Sequence, residues 1–185
     1  MVKENNNNNT SDDEFDDDDE LSKIREARIK QMKEEAKAKQ MLLNNSGHGE
    51  YKTIDEKEFL KEVTASANVV VHFYHNTFVR CKLLDKHLEI LAKTHIGTKF
   101  LKIDAERAIF FVEKLGVRVL PTLVFFHNGI AVDRTVGFDD FGGKDDFKIE
   151  ALAKRIAKSG VLDFKHTTGL KVISKSDKFL NKEDD

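Results

Sequence analysis

The feature that most constrains the fold is a continuous apolar run near the middle of the chain. Asn68 to Tyr74 (NVVVHFY) consists mainly of β-branched and aromatic residues, without alternation between polar and apolar positions. Such a run is typical of a strand inside a parallel or mixed sheet, where both faces of the strand are covered. The pattern therefore predicts a sheet with further layers packed on both of its faces.

The residues around this strand predict an alternating order of strands and helices. Thr53 and Glu56 have the spacing of a capping box, and Asn128-Gly129 is a hairpin signal. Asp145 is the expected N-cap of the last helix. Further strands are predicted at 99–103, 122–126 and 131–136, and helices at 54–64, around 84–91, at 107–115 and at 145–159. This order indicates an α/β fold, a mixed sheet with helices on both faces and right-handed crossovers.

The two ends of the chain have a different composition from its centre. Residues 1–20 contain an asparagine run followed by eight acidic residues. Such a segment buries too little apolar area to offset its ordering entropy, so we expect it to be disordered. Residues 21–46 predict a charged helical arm, residues 47–160 a folded domain, and residues 161–185 a charged tail.

Two segments are candidates for binding a partner. The helical arm is strongly basic and has no clean apolar stripe, which is typical of a solvated helix or of a docking surface. Its candidate contact residues are Arg25, Arg28, Lys30 and Lys33. The loop over 138–147 carries Phe138, Phe141 and four aspartates, and aromatic residues beside charges are common in contact surfaces. The alternative is that this loop only caps the last helix.

Charge and cysteine content exclude several classes of function. The net charge of −2 argues against non-specific binding of nucleic acid, and no apolar run has the length of a membrane span. A single cysteine cannot form an internal disulfide, which indicates the reducing cytosol. The histidines lack the spacing of metal ligands, and the aspartates near residue 140 do not fit a calcium loop, so we expect no metal and no cofactor.

Two segments of the chain resemble the thioredoxin fold. Val71-His-Phe-Tyr74, followed seven positions later by Cys81-Lys82, is similar to the stretch that contains the thioredoxin WCGPC motif. Leu120-Pro121-Thr122-Leu123 is similar to the segment with the family's cis-proline. The resemblance covers about residues 51–159. It implies a thioredoxin-like domain and a cis peptide bond before Pro121.

A narrower resemblance links the chain to the phosducin-like proteins. It is carried by Gly47-His-Gly-Glu-Tyr51, by Phe78-Val-Arg-Cys-Lys82, and by residues 136–147 (VGFDDFGGKDDF). One branch of that family, with a charged N-terminal helix and a thioredoxin-like domain with one active-site cysteine, is implicated in regulating the cytosolic chaperonin that folds actin and tubulin. The resemblance therefore implies a cytoplasmic co-chaperone whose partners are the chaperonin and its actin or tubulin clients.

Three positions of the thioredoxin motif have changed. If Cys81 stands at the second cysteine of WCGPC, Phe78 stands at the first, attacking cysteine and Arg80 at the proline. His72 stands where many thioredoxins have a buried acid. A dithiol enzyme needs both thiols, so we expect no catalysis of this kind. Cys81 is either an inert buried residue or a redox-responsive thiol whose pKa is lowered by Arg80 and the helix N-terminus.

The sequence thus leaves three functional interpretations open. The first is a binding module that regulates the chaperonin. The second is a one-cysteine redox protein in which Cys81 reacts with a thioredoxin partner or another thiol. The third is a scaffold with a different client, and the sequence does not separate it from the first.

Overall fold

A computed structural model of the protein describes residues 17–45 and 47–162. Helix α1 spans Asp17–Asn45 and carries mostly exposed side chains. It begins at Asp17 rather than at Leu21, so the expectation of disorder is wrong for 17–20. Acidic residues stabilise the first turn of a helix through its dipole, which accounts for this earlier start. Residues 1–16, where the same expectation stays a prediction, lie outside the described residues.

The folded domain contains five strands, four helices and two short 3-10 turns in its described part. The strands are β1 (Tyr51–Ile54), β2 (Asn68–Tyr74), β3 (Lys99–Asp104), β4 (Thr122–His127) and β5 (Ile130–Val136). The helices are α2 (Phe59–Thr64), α3 (Val79–Thr94), α4 (Ile109–Leu115) and α5 (Ile149–Lys158), and the 3-10 turns are Glu56–Glu58 and Asp139–Phe141.

The strands form one mixed sheet in the order β1-β3-β2-β4-β5. Strand β2 lies in the centre, parallel to β3 and antiparallel to β4, and its five inner residues are buried. This confirms the prediction of a strand covered on both faces. Because β1, β2 and β3 are parallel and β4 runs against them, three strands end where β4 begins. We call this end the sheet end.

Two apolar clusters fill the space on the two faces of the sheet. The first packs α3 and α5 against the sheet and includes the leucines of α3, Leu152 and Ile156. The second packs α2 and α4 against the opposite face and includes Phe59, Val63 and Phe111. The expected architecture, a mixed sheet with helices on both faces, is therefore confirmed.

The first element of the domain differs from the prediction. Residues 51–54 form strand β1, which pairs with Phe100–Ile103 of β3, instead of starting a helix. The helical signal acts two residues later, because the Glu58 side chain accepts a hydrogen bond from the Asp55 backbone at 3.3 Å. A capping box at this position leaves residues 51–54 free to pair with the edge of the sheet.

The last helix and the end of the domain also differ from the prediction. Helix α5 begins at Ile149, and Asp145 forms an ion pair with Arg80 instead of capping the helix. Val161 and Leu162 are buried, and the Thr98 hydroxyl donates to the Val161 carbonyl at 2.6 Å. The folded domain therefore extends to Leu162. The predicted charged tail lies outside the described residues from 163 onwards.

Candidate functional site

The start of helix α3 lies at the sheet end and carries the position of the missing thiol. Phe78 occupies the N-cap of this helix in extended conformation, and 45% of its surface is exposed. Its ring contacts the His75 ring at 5.2 Å between centroids, and His75 in turn pairs with Glu106 after β3. An exposed aromatic side chain therefore stands where a dithiol enzyme presents its nucleophile.

Cys81 lies in the first turn of α3 and is closed off from solvent. Only 1% of its surface is exposed. Burial raises the pKa of the Cys81 thiol, and the nearby Asp85 carboxylate raises it further, while a hydrogen bond with the His75 backbone opposes them. Because the thiolate is the reactive form, this environment makes Cys81 a poor nucleophile. The interpretation of Cys81 as a buried residue is confirmed.

The Arg80 side chain is directed to another part of the domain. Its Nε atom lies 2.8 Å from Asp145 Oδ1, and its guanidinium lies 5.1 Å from the centre of the Phe138 ring. The expected lowering of the Cys81 pKa by Arg80 is wrong. The charge of Arg80 is matched by Asp145, and burial of the thiol raises its pKa.

Pro121 directly precedes strand β4, which begins at the sheet end. The Leu120–Pro121 peptide bond is cis, the isomer that the family resemblance implies. The Pro121 carbonyl accepts a hydrogen bond from Gly137 at 2.8 Å, and Thr122 pairs with Phe73 of the central strand. This connection places the start of β4 beside the end of β2.

Beneath α3, four polar side chains from four different elements form what we call the buried polar cluster, in which the histidine is fully buried and the other three are partly buried. They are Tyr51 from β1, His72 from β2, Asp85 from α3 and Lys102 from β3. The Tyr51 hydroxyl donates to Asp85 Oδ1 at 2.7 Å and lies 2.8 Å from His72 Nδ1. His72 Nδ1 is 3.1 Å from the same carboxylate oxygen, and Lys102 Nζ is 3.3 Å from the other.

The environment of this cluster shifts the pKa of three of its members. Burial lowers the pKa of His72, against the opposing effect of Asp85. Burial also raises the pKa of Tyr51 well above its usual value, together with the adjacent Asp85 charge. Burial alone would raise the pKa of Asp85, but hydrogen bonds from His72 and Tyr51 hold it below its usual range. The cluster thus contains a neutral histidine and an ionised aspartate near pH 7.

The two candidate contact segments differ in exposure: the aromatic residues of the loop are buried, whereas the basic residues of α1 are exposed. Phe138 and Phe141 are 0% and 7% exposed, and with Phe147 they form an aromatic group in the core beside α5. Their proposed role as a contact surface is therefore wrong, because the 3-10 turn at 139–141 directs both rings inward. The basic residues of α1 named as candidate contacts are all exposed: Arg25, Arg28, Lys30 and Lys33.

Residues 17–45 and 47–162 contain no group of three histidine, cysteine, aspartate or glutamate side chains arranged to hold a metal ion. Within the same residues no helix has the length and apolar character that crossing a bilayer requires.

The buried polar cluster was not found from the sequence, except for His72 at the position of the thioredoxin acid. Tyr51 precedes Asp85 by 34 residues, so no local spacing links them. The available signals were single residues. An aspartate lies on the buried side of α3 next to Leu84, and a lysine interrupts the apolar residues of β3.

Comparison with known proteins agrees with this geometry. The thioredoxin family model matches residues 50–146, just over half of the chain. The chain is 71% identical to phosducin-like protein 3 of Dictyostelium discoideum, over 90% of each protein. It is 44% identical to human thioredoxin domain-containing protein 9, over 78% of this chain and 64% of the human protein. The match thus spans less than two thirds of the human relative.

Solved structures show the same fold. Thioredoxin f from spinach chloroplast covers 60% of this chain with a TM-score of 0.52 and 23% identity. A mutant thioredoxin from Halobacterium salinarum covers 62% of the chain with a TM-score of 0.52 and 25% identity. The high identity to relatives over most of the chain leads to one conclusion. The chain belongs to the phosducin-like family, in the branch of phosducin-like protein 3 and thioredoxin domain-containing protein 9.

Proposed function

We propose that this protein is a non-catalytic binding module that regulates the cytosolic chaperonin during actin and tubulin folding. Membership of the phosducin-like family supports a regulatory or co-chaperone kind of role. We further propose that its partners are the chaperonin and the chaperonin's clients, and that it acts in the cytoplasm.

The observation that carries the proposal is the state of the thioredoxin motif. Phe78 cannot attack a disulfide, and Cys81, the single cysteine of the chain, is buried with a raised pKa. The segment thus lies at the sheet end, as the thioredoxin motif does, but it lacks a reactive thiol. An exposed aromatic residue in place of a nucleophile favours contact with a protein surface over electron transfer.

Exposed aromatic residues indicate where the domain would contact its partner. Of the eleven phenylalanines in residues 47–162, nine are buried and two, Phe78 and Phe110, are exposed. Phe78 precedes α3 and Phe110 lies at the start of α4, so both follow strands that finish at the sheet end. We propose this pair as the apolar contact of the domain, in place of the buried residues Phe138 and Phe141.

The basic side of α1 would supply a second contact. Arg25, Arg28, Lys30 and Lys33 are exposed and would meet an acidic surface of the chaperonin. Two linked contacts raise the affinity because the second forms at a high effective concentration. The contribution of α1 would be mainly electrostatic and would weaken with salt, whereas the apolar contact would depend little on salt.

A binding assay with purified cytosolic chaperonin tests both surfaces. Replacing Phe78 and Phe110 by serine should weaken binding by about tenfold or more, because buried aromatic anchors contribute more than about 1 kcal/mol each. Replacing the four basic residues of α1 by glutamine should weaken binding at low salt and have less effect at high salt. The affinity would be measured by fluorescence anisotropy of a labelled chain at two salt concentrations.

Matched variants control for general effects of composition. Ile130→Ser with Val132→Ser removes two exposed apolar side chains from β5, and glutamine at four exposed lysines of the domain removes the same charge as the α1 variant. The four lysines are Lys57, Lys61, Lys114 and Lys154. Neither control should change the affinity. Equal binding by every variant would contradict the two-surface model, and absence of binding by the full-length chain would contradict the chaperonin as partner.

A further inference from the structure

His72 has an unusual position for a titratable group. It lies on the central strand β2 with none of its surface exposed. Its Nδ1 atom contacts Tyr51 and Asp85, whereas its Nε2 atom has no hydrogen-bond partner. A buried polar atom without a partner is uncommon and calls for a physical explanation.

The contacts determine where the protons lie. Tyr51 has one hydroxyl proton, and it donates this proton to Asp85 Oδ1. His72 Nδ1 faces the same carboxylate and the Tyr51 oxygen, so it must carry a proton itself. The Nε2 atom of the neutral ring is then unprotonated. In this state the negative charge of Asp85 is balanced by Lys102, and the cluster is neutral overall.

A second proton on His72 would disturb this balance. It would create a buried Nε2–H group without an acceptor and give the cluster a net positive charge beside Lys102. The ionisable groups that face His72 are those of the cluster together with Tyr74. Only Asp85 among them is negatively charged near neutral pH, and it is already shared with Lys102.

The elements around His72 determine which part of the fold can move when this histidine is protonated. Strand β2 is hydrogen-bonded on both sides, to β3 and to β4, so His72 cannot leave its place without breaking the sheet. The cover over His72 on its polar side is α3, which contacts the cluster through Asp85. The first turns of this helix contain both Asp85 and Cys81, and they can separate from the ring without breaking the sheet.

We propose that the buried polar cluster is an acid-sensitive switch, in which protonation of His72 at Nε2 releases residues 79–85 of α3 and uncovers Cys81. The released segment directly follows Phe78, so acidification would also alter the exposed surface at the sheet end. The inference stands on the geometry of the cluster and does not depend on the identity of the protein's partner.

Cys81 provides a natural reporter for this opening. The reagent 4,4′-dithiodipyridine reacts with a thiolate to form a mixed disulfide and releases one coloured thiopyridone, and it remains usable at acid pH. The labelling rate of the full chain, divided by that of glutathione at the same pH, gives the opening constant. This constant should rise as the pH falls below about 6.5, by at most about tenfold per pH unit for one proton.

Three variants make the test specific. His72→Asn retains a donor toward Asp85 but does not titrate, so the rise should disappear, while His127→Asn, at an exposed histidine, should retain it. Lys102→Gln removes a positive charge that disfavours protonation of His72 in the closed state, so the rise should be smaller and should level off at a higher pH. This variant keeps the test valid if His72→Asn does not fold. Urea below the unfolding transition should not accelerate labelling at pH 5.5, because a local opening exposes little surface.

Several outcomes would overturn the inference. Normalised labelling that is independent of pH between 7.5 and 5 would show that His72 does not control access to Cys81. The same conclusion would follow if folded His72→Asn kept the pH dependence of the original chain. Labelling that rises with urea in parallel with global unfolding would mean that Cys81 is reached only through the unfolded state.

Discussion

The protein will not reduce insulin disulfides faster than the dithiothreitol background. Reduction by a dithiol mechanism requires an exposed thiolate that attacks and a second thiol that resolves the mixed disulfide. Phe78 replaces the first thiol, and the second, Cys81, is buried with a raised pKa. The turbidity assay for insulin, with an ordinary thioredoxin as positive control, measures the difference.

The variant Phe78→Cys should recover weak activity at most. It restores the exposed thiol, but Arg80 remains paired with Asp145 and His72 remains in place of the thioredoxin acid. Cys81 would still be a poor resolving thiol, because burial disfavours its thiolate. Efficient reduction by the original chain with thioredoxin reductase and NADPH would contradict the non-catalytic account and favour a one-cysteine redox protein.

The second large effect concerns Phe138, which is buried in the core. Phe138→Ala should lower the free energy of unfolding by about 3–5 kcal/mol, the usual cost of removing a buried phenylalanine ring. The ring packs against Phe141 and Phe147 and lies under the Arg80 guanidinium, so its loss also removes these aromatic and cation–π contacts. Urea unfolding followed by circular dichroism measures the change.

Phe78→Ala is the matched control for this experiment. Phe78 is an exposed phenylalanine at the start of α3, and its replacement should change the free energy of unfolding by less than about 1 kcal/mol. If both variants were equally stable, Phe138 would not belong to the core. The loop at 138–147 would then again be a candidate contact surface. The expected result separates a residue that stabilises the fold from one available to a partner.

The sequence predicts the centre of this fold better than its edges, for a physical reason. Strand β2 is apolar except at Asn68 and His72, because both of its faces are covered. The hairpin after β4 has its own turn signal. Strand β1 has only four residues, and its strand state comes from pairing with β3, about fifty residues away. Phe138 and Phe141 lie at the two ends of one short 3-10 turn, so no longer run of periodic apolar positions indicates their burial.

The candidate site also has features that the local sequence predicts and features that depend on contacts between distant segments. The sequence alone predicts the loss of the attacking thiol, because the flanking motif shows that Phe78 occupies its position. The pairing of Arg80 with Asp145 depends on the loop at 138–147 folding back toward α3. Likewise, only the folded chain brings Tyr51, on the edge strand, to Asp85 on a helix. Contacts between distant segments are not encoded in local spacing.

The most direct test of the central claim measures the affinity of purified cytosolic chaperonin for the full-length chain and for Cys81→Ala, under reducing conditions. A binding module that does not use its thiol should bind saturably, and the folded variant should bind with a Kd within about twofold of the original. The contrary result is either no binding by the original chain or a loss of binding, on the order of tenfold or more, in the folded Cys81→Ala variant.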